Sequence, residues 1–310
     1  MSEKFLIVYN ACEIRRNNLL WYIDCITNLL NQDYDNFKVA FSGCRITEAT
    51  KIGLQKRFGN SIYYSFIDED QTISVTFNHT VNTIVKAVGE FDGYIYVDSG
   101  MNPQGQRHIL KEIHQRSQTK EYGMLTVQST TDTAYTGWFG KTETYTFTGE
   151  DFNVPVGKCC AIHFQYFNPQ LLKYYGRLLP DIFKSHCIES VFSFMNAALK
   201  LKWVFIKDLA VTHVKGSDGP SLGFEQISPH GNTWNNLLGG VDIHDVLVND
   251  TGRKLGMGYE EVQNVMVHDP ALFDENGFAK NEGLKDFIRE SLFVKKNIVD
   301  YDAIKHQLIV

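Results

Sequence analysis

Three side chains suited to chemistry fall where elements of this sequence end: Asp98, Glu189 and His213. Asp98 closes the apolar run Tyr94-Ile95-Tyr96-Val97 and is followed by Ser99 and Gly100. Glu189 stands in the first turn of an apolar helix, and His213 ends a strand. Carboxylate oxygens and imidazole nitrogens hold the divalent cations that bind phosphates, and leave positions open for substrate. A carboxylate within hydrogen-bond reach of a hydroxyl can also serve as a general base. Each residue has a plainer reading as well. Asp before small residues is a turn former. Glu in a first helical turn is favoured by the helix dipole. A strand-end histidine is more often a satisfied structural residue than a ligand.

The elements that would position these residues alternate. Lys4–Tyr9 reads as a buried strand, and Leu19, Leu20, Ile23, Ile26 and Leu30 mark a helix over 17–30. Phe37–Phe41 is a second strand stopped by Ser42-Gly43, residues 47–58 are helical, and Ser61–Phe66 is a third strand. Val81, Ile84, Val85 and Val88 mark a helix that Gly89 stops, and Tyr94–Asp98 is the fourth strand. This order predicts an α/β fold with a mainly parallel sheet flanked by helices, in which ligands bind at the carboxyl ends of strands. Asp98, Ser42 and the loop after Tyr9 all fall at such ends.

Further strands are expected over 122–128 and 158–164, joined by a Thr-, Tyr- and Gly-rich connector. A helix is expected over 187–200, then strands Trp203–Ile206 and Leu209–Val214. Residues 1–220 form the expected catalytic domain. Residues 221–310 form a C-terminal extension with an acceptor-side, packing or dimer-forming role, and Leu284, Phe287, Ile288 and Leu292 give it a last amphipathic helix.

Composition narrows the function classes. With 310 residues, 43% of them hydrophobic, the chain can bury a large core. A net charge of −6 argues against nucleic acid as a partner. No apolar run is long enough to span a membrane, and no leader pattern precedes the first strand, so the expected place is the cytoplasm, with peripheral attachment to the inner face of the membrane left open. Cys12, Cys25, Cys44, Cys159, Cys160 and Cys187 lack metal-site spacing and read as reduced core residues.

Several segments together resemble the GT-A fold glycosyltransferases, specifically the large inverting family 2, from about Lys4 to Gly219. "WYIDCITNLLNQDYDNFKVAF" (21–41) resembles the family's first helix, its turn motif and its second strand, with Gln32, Tyr34, Asn36 and Phe37 in the motif positions. "FNHTVNTIVKAVGEFDGYIYVD" (77–98) resembles the segment that ends on the metal-site aspartate. Ile188-Glu189 resembles the acidic base motif, and "LAVTHVKGSDG" (209–219) the strand, histidine and loop that follow.

The resemblance implies a nucleotide-sugar donor, UDP-, GDP- or dTDP-linked, and a divalent metal, Mn2+ or Mg2+. It implies Glu189 as general base and Asp98 and His213 as metal ligands. The donor would lie against Tyr9, Asn10, Ala11, Glu13, Arg15, Ser42, Arg45, Asn78, Asp98, Ser99 and Gly100. The acceptor would be a cell-surface glycan or its lipid-linked precursor.

Departures from the family pattern are specific. The usual Asp-x-Asp is Asp98-Ser99-Gly100, so the second carboxylate is missing; Asp98 could take over its role, Glu143 or Asp132 could substitute for it, or dependence on metal could be weaker. Ser42-Gly43-Cys44-Arg45 stands where an acidic pair usually reads the base. Trp138, Phe139, Tyr135 and Tyr145 could form a sugar-stacking platform or a core cluster. His163, His186 and His230 read as structural. A sugar nucleotidyltransferase would want glycines in the loop after the first strand, and "NACEIRRNN" has none. A non-catalytic sugar-nucleotide-binding scaffold and a transferase acting on modified phage DNA bases are the remaining alternatives.

Overall fold

A computed structural model describes residues 4–12, 18–68, 71–129, 134–136, 143–145, 151–156, 163–180, 191–213, 273–294 and 299–310. The first half runs β1 (Phe5–Cys12), α1 (Leu19–Leu30), β2 (Phe37–Cys44), α2 (Glu48–Phe58), β3 (Tyr63–Ile67), α3 (Ile73–Val88), β4 (Gly93–Asp98), β5 (Met101–Asn102) and α4 (Ile109–Ser117). The second half runs β6 (Tyr122–Ser129), β7 (Ala134–Thr136), β8 (Glu143–Tyr145), β9 (Phe152–Asn153), β10 (Phe164–Phe167), α5 (Pro169–Tyr175), α6 (Phe192–Ala198) and β11 (Lys202–His213), then α7 (Gly283–Arg289) and β12 (His306–Ile309).

The main sheet has the order β12-β3-β2-β1-β4-β10-β6-β11-β5, with β9 beside β11. Strands β3, β2, β1, β4, β6 and β11 share one direction, and the short β5, β9, β10 and β12 oppose them. The expected mainly parallel layered sheet is therefore present. The chain winds outward from β1 through β2 to β3, then crosses back so that β4 lies on the other side of β1. That reversal makes the carboxyl ends of β1 and β4 a topological switch point, the place where open α/β sheets bind ligands.

Both faces of the sheet are covered, which is why its inner strands read as continuous apolar runs. Phe5, Ile7, Tyr9 and Ala11 of β1 point to the α1, α2 and α4 side, while Leu6 and Val8 point to the side of α3, α5 and α6. α3 is longer than its apolar spacing suggests. Thr72 caps it by accepting from the Val75 N–H at 3.3 Å, and Gly89 ends it at φ 93°. The sheet lies on one side of α3, and Leu178, Leu179 and Tyr301 lie on the other. Polar residues Thr76, Asn78, His79 and Thr80 are thereby buried along with its apolar ones.

Some elements differ from the sequence reading. Most of the strand expected over 158–164 lies outside the described residues; a strand runs over Phe164–Phe167, with Asn168 capping α5 immediately after it. The two strands expected over 203–214 are one strand, β11, whose pairing with β6 shifts register between Ile206 and Ala210. Lys207 and Asp208 fall in that shift and break the apolar pattern without ending the strand. α6 is shorter than expected: it stops at Ala198, and Lys200 takes a φ of 58°.

The described part of the C-terminal extension packs on the first 220 residues. Phe273, Ala279, Ile288, Leu292 and Phe293 join the α3-side core, and β12 extends the sheet past β3. No helix among the described residues is long and apolar enough to cross a membrane.

β12 also brings His306 against His79 of α3, with ring centroids 4.4 Å apart. Burial, reinforced by His306 and Lys86, lowers His79 from 6.5 to about 4. The unfolded chain takes up a proton below about pH 6.5 that the folded chain refuses until about pH 4, so the stability tied to His79 is intact above the first value and lost on the way to the second. Between about pH 7 and about pH 4 the wild type should lose more melting temperature than His79→Leu. Parallel melting curves across that range would contradict the assignment.

Candidate functional site

One polar row crosses the sheet at its carboxyl edge. Register pairs Ser65 of β3 with Ser42 of β2, Ser42 with Asn10 of β1, and Asn10 with Asp98 of β4. Strand alternation turns all four toward α3. Ser42 and Ser65 are enclosed, and Asn10 is 7% exposed. The Asn10 amide donates to the Ile73 carbonyl at 3.3 Å, at the start of α3. The Ser42 hydroxyl pairs with Thr80 Oγ1 at 2.7 Å. The apolar strand interiors thus give way to polar side chains at the edge, and the row ends at Asp98, which is half-buried.

Asp98 is held by its own turn. Its Oδ1 accepts from the Gly100 N–H at 2.8 Å, and its Oδ2 accepts from the Tyr96 hydroxyl at 3.3 Å. Its backbone N–H donates to the His163 carbonyl at 2.8 Å. Just beyond, β5 pairs with the end of β11, Met101 opposite His213 and Asn102 opposite Thr212. The backbone at 213 therefore lies beside the turn that follows Asp98.

The loop from Asn102 onward is tied to α1. The Asn102 amide donates to Asp24 Oδ2 at 2.6 Å, and Asn28 donates to Asn102 Oδ1 at 2.9 Å. Gln32 donates to the Gln106 carbonyl at 2.7 Å. The turn motif's Tyr34 stacks on Phe5, centroids 5.4 Å apart, and Asn36 accepts from the Phe5 N–H at 3.0 Å. Those motif residues hold the start of β1 and the loop after β5 in place.

The remaining expected site residues divide clearly. Ser99 and Gly100 lie in the turn at Asp98. Arg45 is exposed directly after β2, with a φ of 54°. Tyr9 and Ala11 point to the opposite, α1 face, and Tyr9 is 0% exposed. Burial raises the Tyr9 hydroxyl well above its ordinary value, with Cys25, Tyr22 and Asp98 adding to the effect, so it remains a proton donor.

The Asn78 amide is engaged by backbone. Its Oδ1 accepts from the N–H groups of Leu178 and Leu179, both at 3.1 Å, and its Nδ2 donates to the Leu179 carbonyl at 2.6 Å. Glu13, Arg15 and Glu189 lie outside the described residues, as do Asp132, Trp138, Phe139, His186 and His230. So do the side chains of His213, Tyr135, Glu143 and Tyr145. Position 143 pairs with Thr136 in a hairpin separate from the main sheet.

Among the described residues no three His, Cys, Asp or Glu side chains converge on one point. A cation held through one carboxylate and completed by substrate phosphates and water needs no such cage. Asp98 fits that mode, because among the described residues its Oδ2 carries one long hydrogen bond, from Tyr96, and the residue is half-buried.

Sequence reasoning missed Trp21, Tyr96 and Asn102. The signal for the turn itself was present, since Asp followed two residues later by Gly is an Asx-turn pattern.

Solved structures share this architecture. The mannosyltransferase PcManGT from Pyrobaculum calidifontis, in complex with GDP-Man and Mn2+, matches 71% of this chain and 59% of its own at TM-score 0.50 and 13% identity. S. aureus TarS matches 68% of this chain and 37% of its own at TM-score 0.50 and 18% identity. TarS 1-349 matches 68% and 60% at TM-score 0.48 and 17% identity. This chain thus spans less than two thirds of either protein's length. At these identities the likeness shows the fold alone, an α/β architecture shared with the Pyrobaculum mannosyltransferase and TarS structures. No known family profile matches the sequence, and no curated protein matches it.

Asn78→Ala should leave the two N–H groups and the carbonyl at 178–179 buried without partners, destabilising the protein by about 2–4 kcal/mol in urea unfolding. Unchanged stability with weakened nucleotide binding would instead make Asn78 a ligand-contacting residue.

Proposed function

We propose that this chain is a glycosyltransferase that moves a sugar from a nucleotide-diphosphate donor to an acceptor hydroxyl, with inversion at the anomeric carbon. The observation that carries the reading is Asp98 at the carboxyl end of β4 beside β1, with the backbone of residue 213 beside its turn. The matched fold supports it. The donor's diphosphate would lie over the carboxyl ends of β1 and β4, reached by Asn10, Asp98, Ser99 and Gly100, with Arg45 directly after β2; Glu13 and Arg15, outside the described residues, are further donor contacts in this reading.

Asp98 and His213 would hold a divalent cation, Mn2+ or Mg2+. When bound, the cation neutralises charge on the leaving diphosphate. Glu189 takes the proton of the acceptor hydroxyl as its oxygen bonds to the anomeric carbon. The bond from that carbon to the phosphate oxygen breaks, and the nucleoside diphosphate leaves. Holding donor and acceptor in line supplies much of the rate.

The Mn2+ and GDP-Man of the Pyrobaculum structure make manganese and GDP the first ligands to try. The acceptor in this reading is a cell-surface glycan or its lipid-linked precursor, met in the cytoplasm or at the inner face of the membrane. One feature favours a second reading, a sugar-nucleotide-binding scaffold: the motif has a single carboxylate, Asp98-Ser99-Gly100.

A melting-temperature screen of nucleoside diphosphates and nucleotide sugars with manganese should pick out one base, since a ligand at about a hundred times its Kd stabilises by about 2.7 kcal/mol. Glu189→Gln should cut transfer by at least about 100-fold while donor binding stays within about twofold of wild type. Transfer at the wild-type rate would remove Glu189 as the base. A wild type that binds donor without releasing nucleoside diphosphate would favour the scaffold.

A further inference from the structure

The geometry points to Trp21 and Tyr9 as positioning residues that aim the Asp98 carboxylate through one peptide group. This inference rests on the reading of Asp98 as the ligand of the donor's metal and diphosphate. The Ser99 carbonyl accepts two hydrogen bonds of 2.7 Å, one from the Tyr9 hydroxyl and one from the Trp21 indole N–H. The other end of the same peptide is the Gly100 N–H, which donates to Asp98 Oδ1 at 2.8 Å. A peptide group is planar, so fixing its carbonyl fixes the direction of its N–H. A carbonyl that accepts two bonds is also polarised, which strengthens the N–H on its far side.

The donors come from two different elements, Tyr9 from β1 and Trp21 from α1, so the peptide is braced from two directions. Tyr9 is enclosed among Tyr22, Phe41 and Cys25 and cannot swing. β5 pairs with β11 immediately after the turn, which limits movement on the other side. The result is a carboxylate with Oδ1 committed to the Gly100 N–H, while Oδ2 accepts the longer 3.3 Å bond from the Tyr96 hydroxyl. A chain with two aspartates in this motif could hold a cation between two carboxylates. Here one carboxylate must do so, and bracing it lowers the ordering cost that an unbraced side chain would meet on binding.

The test measures manganese binding by electron paramagnetic resonance on the full chain, with GDP and with UDP, apart from any activity. Tyr9→Phe and Trp21→Phe each remove one donor and keep a ring. Each should weaken manganese binding in the presence of nucleoside diphosphate about 3- to 10-fold, and the double variant about 30-fold. Tyr64→Phe is the control. Its hydroxyl donates to the Leu54 and Gly59 carbonyls on the far side of β2, so its loss should lower the melting temperature without moving manganese affinity. Wild-type binding that stays within twofold in both single variants and the double variant overturns the inference and leaves Asp98 in its role. Wild type that binds no manganese with either nucleotide, and matches Asp98→Ala, overturns the reading of Asp98 and this inference with it.

Discussion

The site depends on the register between β1 and β4. Asn10 lies opposite Asp98 because β4 returns to the inner side of β1 after three strands have wound outward. A shift of one residue would turn Asp98 to the α1 side and exchange the faces of Tyr94 and Tyr96. Apolar burial on both faces prevents that shift. Phe5, Ile7 and Tyr9 on one side and Leu6 and Val8 on the other are all fully enclosed. The core therefore sets the depth at which the strand stops being apolar, and the chemistry-bearing residues occupy the first positions beyond it.

Buried polar groups then stiffen the surroundings. Asn78 fastens the chain at 178–179 to α3, ten residues before Glu189. Gln165, Thr126 and Trp203 form a connected set of hydrogen bonds across β10, β6 and β11 on the same face. The Trp203 indole donates to Thr126 at 2.8 Å, and Thr126 donates to Gln165. Such groups are costly to bury alone and specific when satisfied, so they favour one arrangement of the second half of the sheet. The C-terminal residues complete the frame by covering α3 and extending the sheet past β3.

Much of the fold was legible because its signals are local. The strand–helix alternation through Asp98 needs only apolar spacing, and Gly89 ends α3 at a positive φ as its position suggests. The turn at Asp98 was legible, because an apolar run stops there at a carboxylate followed two residues later by glycine. The site was less legible where a role depends on partners distant in sequence. Nothing near Tyr9 signals that its ring faces α1 or that its hydroxyl reaches Ser99, ninety residues away. Asn78 reads as a polar residue on a helix, and only the packing of 178–179 reveals that its amide is occupied. β11 looked like two strands because Lys207 and Asp208 interrupt its pattern, while pairing with β6 carries it through.

The central claim is that the carboxyl edge of β1 and β4 receives a diphosphate at Asp98. A crystal structure of the full chain grown with manganese and GDP, or with whichever nucleoside diphosphate stabilises it most, tests this directly. The account predicts an ion shared between Asp98 Oδ2 and the phosphate oxygens, over the carboxyl ends of β1 and β4. Nucleotide bound on another face, or ordered at that edge with the Asp98 carboxylate turned away from it, would contradict the account.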